Sequence, residues 1–301
     1  MKGFVQAICT TLWALAWTMP VSAVPSGNIF VVSTIGEVDR ISPAGVVTPI
    51  ATGLTSPQAL TLDGAGNIYV SNTVGKRQQA TITRITPNGT VSVFATGLSV
   101  PVDIAFGPTG DLYASDEVEE KVYKISSLGV VTPFTSIPDE PEGIGFDHQG
   151  NLFVAALSST RVYKITPDGK VGVFVDLHGQ PGITECNGLA VDDNDNLFVN
   201  NNAASIAKIT PSGVITLFNN KGGKHLSGMT FDPDGDLLAI DAGSESINEF
   251  TSSGVLSTPF TGIRLIHDVA VPEPQWIGAV FIFALRRRSR ITQERCGTPN
   301  H

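Results

Sequence analysis

Three polar residues occupy one recurring position of a repeated sequence pattern, and their side chains could act in catalysis or bind a metal ion. They are Glu142, Asn187 and His267. Glutamate and histidine suit general acid–base catalysis, and histidine titrates near neutral pH. Oxygen and nitrogen donors of this kind could also hold a divalent cation such as Ca²⁺, Mg²⁺ or Zn²⁺. Glu142 and His267 are therefore the candidate catalytic residues, and all three are candidate metal ligands.

The elements that must position these residues come from an internal repeat. One motif, typified by Gly150-Asn-Leu-Phe-Val154, occurs six times, and subtracting its start positions gives spacings of 39, 44, 40, 45 and 40 residues. A second motif, typified by Ile165-Thr-Pro-Asp-Gly169, follows each copy. The Pro and Gly of this second motif are typical of a turn between hairpin strands. A four-stranded repeat of this length is typical of a β-propeller blade.

The copy number predicts the fold. Six copies predict an all-β, six-bladed β-propeller with four-stranded blades over residues 24–271, rather than a seven-bladed ring or a β-sandwich. The first copy, at Gly27, lacks an inner strand, whereas Ile266–Val271 matches inner strands such as Asn187–Val191. We therefore expect the N- and C-terminal strands to close one blade, which removes two open sheet edges.

The same alignment places the candidate residues in the central channel. The inner-strand position of Glu142, Asn187 and His267 is occupied elsewhere by Gln58, Val102 and Ser227. Because inner strands surround the axis of a propeller, we expect these side chains to converge on the channel from different blades.

Charge and cysteine content exclude several classes of protein. Of 19 Lys and Arg residues 13 lie between residues 3 and 285, against 27 of 28 Asp and Glu residues, so this region carries a formal charge of −14. Such a surface repels nucleic acid and anionic lipid. Cys186 is the one cysteine within residues 24–271, which excludes an internal disulfide framework in the predicted propeller.

The two ends have the features of targeting signals. Lys2 precedes an apolar run over residues 4–17 and the small residues Val21 and Ala23, which predicts a helical signal peptide over residues 1–23. At the other end, Pro272-Glu-Pro274 is followed by an apolar run over residues 276–285, which predicts a short helix, and by an arginine cluster. This order resembles the PEP-CTERM sorting signal, here over residues 272–301.

The sorting-signal resemblance implies a location and a partner. It implies transient anchoring in the inner membrane of a Gram-negative-type bacterium, followed by removal of the tag by a sorting transpeptidase. We therefore expect export through the inner membrane to the periplasm, cell envelope or extracellular matrix.

The repeats themselves resemble NHL repeats and the senescence-marker-protein/gluconolactonase superfamily. The resemblance is carried by 187–199 and 231–241 and covers residues 27–271. In the lactonase branch it implies a channel metal held by a Glu, the Asn of an Asn-Gly-Leu stretch and an Asp. Asn187 fits this set, whereas Gln58 and Ser227 stand at the other two positions. Antibiotic-inactivating lyases with related propellers use a channel histidine and a metal.

Three acidic stretches invite a second interpretation. Residues 232–236 and 192–195 resemble fragments of calcium-binding loops. Both occupy the repeat position of the turn at Asp63–Gly66, and neither has the glycine at position six or the distant glutamate of an EF-hand. We therefore predict turns. The acidic residues 116–120 are predicted to form a solvated rim on one blade.

Two functions remain open. The first is an exported, non-enzymatic propeller that binds a small molecule, polysaccharide or protein in the envelope, with the channel residues solvated. The long connections 71–80 and 175–186 are its expected contact surface. The alternative is a metal-dependent lactonase or lyase acting on a lactone or cyclic ester.

Overall fold

The computed structural model of the chain describes residues 27–272 apart from 75–78, 181, 202–203, 222 and 265. The predicted signal peptide, and the predicted sorting tag beyond Pro272, lie outside the described residues. Within the described ranges the chain forms six four-stranded antiparallel sheets and no helix. The described residues include no apolar helix of the length that a bilayer crossing requires.

Strands are numbered along the chain, and blades are numbered by the order of their strands. Blade one contains β1 (Ile29–Ser33), β2 (Glu37–Ile41), β3 (Val47–Ala51) and β24 (Ile266–Ala270). Blade two contains β4 (Pro57–Leu62), β5 (Ile68–Asn72), β6 (Ala80–Ile85) and β7 (Val91–Leu98). Blade three contains β8 (Pro101–Phe106), β9 (Leu112–Asp116), β10 (Lys121–Ile125) and β11 (Val131–Ser136).

The second half of the ring repeats this arrangement. Blade four contains β12 (Pro141–Phe146), β13 (Leu152–Ala156), β14 (Arg161–Ile165) and β15 (Val171–Asp176). Blade five contains β16 (Leu189–Val191), β17 (Leu197–Asn200), β18 (Ile206–Ile209) and β19 (Ile215–Asn219). Blade six contains β20 (Leu226–Phe231), β21 (Leu237–Asp241), β22 (Ser246–Phe250) and β23 (Leu256–Thr261).

The C-terminal strand closes the ring. β24 pairs antiparallel with β1, with Phe30 opposite Ala270 and Val31 opposite Val269. The inner strands β4, β8, β12, β16, β20 and β24 contact one another in a closed cycle. The predicted six-bladed propeller and its closure by the two terminal strands are confirmed.

The turns follow from their sequences. The Gly89 N–H donates to the Thr86 carbonyl at 2.8 Å, and φ of Gly89 is 82°, a conformation that glycine adopts without strain. At the other turn the Asp63 carboxylate accepts the N–H groups of Ala65 and Asn67, both at 2.9 Å. Asp192 and Asp232 bond their own turns in the same way, so the prediction of turns at residues 192–195 and 232–236 is confirmed.

Aromatic rings join neighbouring blades. The Tyr69 ring packs edge-on against Phe94 of its own blade at 4.9 Å and against Phe106 of the next blade at 5.2 Å. The second strand of most blades is buried on both faces, as in β5, β9 and β13. Such edge-to-face contacts add to apolar burial and fix the spacing of the blades.

Two expectations about exposed segments need correction. Asp116 is 0% exposed and accepts the N–H of Ser99 at 2.7 Å, so it holds a loop and does not belong to a solvated rim. In the connection 175–186, Leu177, Ile183 and Cys186 are buried in the core between blades four and five. These apolar side chains leave only part of that connection for recognition.

Removing the closing strand tests the ring. A chain that ends at Arg264 lacks β24 and leaves β1 as an open edge, so we expect it to lose cooperative thermal unfolding followed by near-ultraviolet circular dichroism. A chain that ends at Pro272 keeps β24 and serves as the control. Equal melting of the two chains would contradict the closure.

Candidate functional site

A cavity of about 1010 Å³ lies at the centre of the ring and is lined by the inner strands of all six blades. The predicted channel residues all line it: Gln58, Val102, Glu142, Asn187, Ser227 and His267. Glu142 and Asn187 belong to neighbouring blades, four and five. His267 belongs to blade one, which lies across the ring from blade four. The structure therefore brings the three candidates to one cavity, with His267 facing Glu142 from the opposite wall.

Hydrogen bonds between blades form a ring around this cavity, which we call the carbonyl ring. At five junctions between described residues, the carbonyl oxygen of the channel residue accepts a hydrogen bond from the preceding blade. The donors and acceptors are Ser115 Oγ to Glu142 O (2.7 Å), Gly143 N to Asn187 O (2.9 Å), Asn200 Nδ2 to Ser227 O (2.6 Å), Ser227 Oγ to His267 O (2.8 Å) and His267 Nδ1 to Gln58 O (2.8 Å). These bonds hold each inner strand against the next.

His267 has one fixed and one free ring nitrogen for chemistry. A carbonyl oxygen only accepts hydrogen bonds, so the 2.8 Å contact to the Gln58 carbonyl requires that Nδ1 carry a proton. In the neutral imidazole Nε2 is then the nitrogen with the lone pair. The carbonyl ring thus sets the tautomer of His267 and leaves Nε2 able to accept a proton or a hydrogen bond.

Glu142 is half-buried in an acidic environment. Burial, followed by the negative charges of Glu117, Glu140 and Glu185, raises the pKa of Glu142 to about 8. At neutral pH this carboxyl group is therefore mostly protonated and acts as a hydrogen-bond donor. Glu117 also lines the cavity, and burial and the charge of Glu140 raise its pKa as well.

Two further carboxylates lie one residue beyond the channel position, and sequence reasoning missed them. Asp103 Oδ2 accepts the Ile144 N–H of the next blade at 2.7 Å, and Asp268 Oδ2 accepts the Leu60 N–H at 2.9 Å. Burial raises the pKa of Asp103 well above its usual range, with the charge of Asp268 adding to it, and burial raises the pKa of Asp268 to about 7. Both residues line the cavity and bond across a blade junction.

In blades four, five and six the residue after the channel position is glycine, because neighbouring blades approach closely there. A Cβ on Gly143 would lie 2.6 Å from the Asn187 carbonyl oxygen, and one on Gly188 would lie 2.6 Å from the Ser227 carbonyl oxygen. The Gly188 N–H donates to Asn200 Oδ1 at 2.8 Å. The Asn-Gly-Leu sequence therefore has a packing role. The regular strand β16 begins at Leu189, so Asn187 precedes it.

The channel does not match the metal-binding set that the superfamily resemblance implies. Gln58 and Ser227 replace two acidic ligands, and the Ser227 hydroxyl is used in the carbonyl ring. Within the described ranges no group of three or more His, Cys, Asp or Glu side chains is arranged to hold a metal ion. A metal site at Glu142, Asn187 and His267 stays a prediction, and we derive no reaction step through a metal.

The raised pKa of Glu142 predicts how stability depends on pH. Because the folded protein binds this proton more tightly than the unfolded chain, the stabilisation is complete below about pH 4.5 and is lost as pH rises towards 8. For Glu142→Gln, which stays neutral, we expect the fall in unfolding free energy between pH 5 and pH 8.5 to be smaller by about 1–2 kcal/mol. Urea unfolding at both pH values measures this, and an unchanged pH dependence would contradict the assignment.

Comparisons with known proteins place this geometry in a family. The sequence profile of the virginiamycin B lyase family matches residues 46–261. No curated protein matches the chain significantly. Virginiamycin B lyase from Staphylococcus aureus is similar in structure, with 20% identity and a TM-score of 0.56 over 70% of this chain and 73% of that chain. A catalytically inactive histidine-to-alanine variant of that enzyme with quinupristin gives 20% identity and a TM-score of 0.57 over the same shares.

A second kind of propeller is also similar. A chain of a nidogen/laminin complex has 13% identity and a TM-score of 0.71, over 81% of this chain and 98% of that chain. At these identities the solved structures support the fold alone, whereas the profile match spans most of the propeller. The chain belongs to the virginiamycin B lyase family.

Proposed function

We propose that this protein is an exported, non-enzymatic propeller that binds a partner presenting a cationic group at the Glu142 end of the channel. The observation that carries the proposal is the concentration of negative charge around Glu142. Glu117, Glu140 and Glu185 all raise its pKa, so all lie close enough to act on the same ligand. An amine or guanidinium placed there would be attracted by the three neighbouring carboxyl groups, and by Glu142 when it ionises.

The protonation state of Glu142 gives this binding a signature. A cation beside the carboxyl group favours its ionised form, which lowers a pKa that is about 8 in the free protein. Binding near neutral pH therefore releases a proton. Affinity then increases as pH rises through 8, because less proton has to be displaced.

The rigid ring suits recognition. The carbonyl ring and the closing pair of β24 and β1 fix the cavity walls, so ligand binding needs little ordering of the backbone. The similar propeller from a nidogen/laminin complex is an example of this fold in a protein–protein assembly. The partner here can be a small molecule, a polysaccharide or a protein, provided that it carries the cationic group.

Export forms part of the proposal and rests on the two ends of the sequence. The apolar N-terminal segment would direct the chain across the inner membrane. The Pro-Glu-Pro sequence, apolar run and arginine cluster would anchor it there until a sorting transpeptidase removes the tag. The propeller would then act in the periplasm, cell envelope or extracellular matrix.

A second candidate function is a lyase that opens a cyclic ester. His267 Nε2 has a lone pair that could take a proton from the substrate, and protonated Glu142 could donate a hydrogen bond to the leaving oxygen from the opposite wall. Family membership and a relative inactivated by replacing a histidine favour this candidate. The substrate would have to span the channel to reach both groups.

One experiment separates the two functions. Spermidine and quinupristin are titrated calorimetrically into the full-length chain at pH 7 and pH 9, and the quinupristin sample is then analysed by mass spectrometry. We expect spermidine to bind more tightly at pH 9, with about a tenfold loss of affinity at that pH in Glu142→Gln, and no ring-opened quinupristin. Glu120→Gln, on an exposed side chain, is the matched control.

A second outcome would support the lyase instead. Ring-opened quinupristin in the wild-type sample, absent with His267→Asn, would support the lyase and contradict the binding proposal. Asparagine retains a side-chain N–H for the Gln58 carbonyl but lacks the nitrogen corresponding to Nε2, so this variant separates catalysis from the carbonyl ring.

A further inference from the structure

Blade six departs from the repeat on its third strand. The third strand of each blade ends in Ile or Phe, and the residue before it is basic in five blades and acidic in the sixth. The basic residues are Arg40, Arg84, Lys124, Lys164 and Lys208, and the acidic one is Glu249. Their cross-strand partners also change. They are Phe30, Tyr69, Tyr113, Phe153 and Phe198 in blades one to five, and Leu238 in blade six.

In blades four and five the basic residue compensates the charge of an aspartate in the turn between the first and second strands of the blade. In blade four Lys164 Nζ lies 3.7 Å from Asp147 Oδ2 and 5.2 Å from the centre of the Phe153 ring. In blade five Lys208 Nζ lies 3.7 Å from Asp192 Oδ2. An ammonium group over an aromatic face and beside a carboxylate is stabilised by both. Glu249 and Leu238 cannot reproduce either contact.

The second partner of the turn aspartate is lost as well. Asn151 Nδ2 donates to Asp147 Oδ2 at 2.7 Å, and Asn196 Nδ2 donates to Asp192 Oδ2 at 2.8 Å. Blade six has Asp236 at this position. An ionised carboxylate has no hydrogen to donate, so Asp232 loses both the amide and the ammonium that its counterparts have.

Two buried carboxylate oxygens are left without partners. Asp232 is 6% exposed and Glu249 is 3% exposed. Asp232 Oδ1 accepts the N–H groups of Asp234 and Asp236, and Glu249 Oε2 accepts the Ser257 hydroxyl at 2.8 Å. Asp232 Oδ2 and Glu249 Oε1 are buried and have no hydrogen-bond partner. Burying a carboxylate oxygen without a partner costs folding free energy. A positive charge from outside the chain would offset that cost at this site.

We propose that blade six binds a divalent cation of the Ca²⁺ class through Asp232, Asp236 and Glu249. The turn presents carboxylates at alternate positions, 232, 234 and 236, as the first half of a calcium loop does. The distant glutamate that such a loop needs is absent from the local sequence, but β22 supplies Glu249 from the adjacent strand. Asp232 lines the same cavity as Glu142, but it follows the end of β20, whereas the channel position Ser227 lies near the start of that strand, so the two sites lie at different depths of the channel.

Ion binding requires a local side-chain rearrangement. The described residues contain no preassembled group of three acidic ligands, so the Asp236 and Glu249 side chains must turn towards Asp232. Asp234 is exposed and Asp236 is half-buried, so the ion can enter from the turn. The pKa of Glu249 is raised by burial and by Asp236, Asp232 and Asp234, which places all four carboxyl groups within electrostatic reach of one another.

Calcium titration of the full-length chain tests the proposal. We expect one Ca²⁺ per chain by calorimetry, with a Kd of about 10⁻⁴–10⁻³ M, and a higher melting temperature in CaCl₂ than in EDTA. The double variant Asp236→Asn, Glu249→Lys restores the pair found in blades four and five. It should melt at the same temperature with and without Ca²⁺. Asp193→Asn removes an exposed carboxylate of the corresponding turn in blade five and should keep the full Ca²⁺ response.

The same measurements can overturn the proposal. Protons in place of a cation would also neutralise Asp232 and Glu249. In that case the wild-type chain would show no Ca²⁺ response, and its stability would fall as the carboxyl groups ionise with rising pH. A double variant that keeps the Ca²⁺ response would also contradict the assignment. If that variant does not fold, Glu249→Gln serves instead, and at least a tenfold weaker Ca²⁺ affinity is expected.

Discussion

The structure depends on hydrogen bonding across the blade junctions. An inner strand in a propeller has one edge towards the channel, and its backbone groups need partners that its own sheet does not supply. Here the carbonyl ring supplies partners for the carbonyls of five channel residues, while Asp103 and Asp268 accept the N–H groups of Ile144 and Leu60. Because the ring closes through β24, each blade is held on both sides, and the cavity becomes a rigid feature of the fold.

Because backbone carbonyls accept the hydrogen bonds between blades, the channel position tolerates very different side chains. At Gln58, Glu142 and Asn187 the backbone carbonyl accepts the bond from the preceding blade, so the side chains of these residues can differ. Ser227 and His267 are the exceptions, since the Ser227 hydroxyl and the His267 Nδ1 both donate within the ring, which leaves only Nε2 of His267 available to a ligand. A propeller of this kind can therefore keep its fold while the side chains at most channel positions change.

Much of the fold can be predicted from the sequence because blade signals are local and repeated. The Gly-Asn-Leu-Phe-Val and Thr-Pro-x-Gly patterns define strands and turns, and the missing inner strand at Gly27 predicts the closure. Asp103 and Asp268 escape such reasoning, because their position holds Ala or Gly in the other blades and their partners lie in other blades. The sequence predicts a solvated rim at Asp116 because acidic residues are usually exposed, whereas the fold buries this side chain. Glu249 becomes informative only when its strand is placed beside the turn at Asp232.

Native-state amide hydrogen exchange tests most directly whether the blade-to-blade hydrogen bonds are part of the global fold. We predict that the N–H groups of Leu60, Gly143 and Ile144, each bonded to another blade, exchange only through global unfolding. Their opening free energies should equal the unfolding free energy from urea denaturation. Opening free energies several kcal/mol below that value would show that the junctions open locally, and would contradict the account.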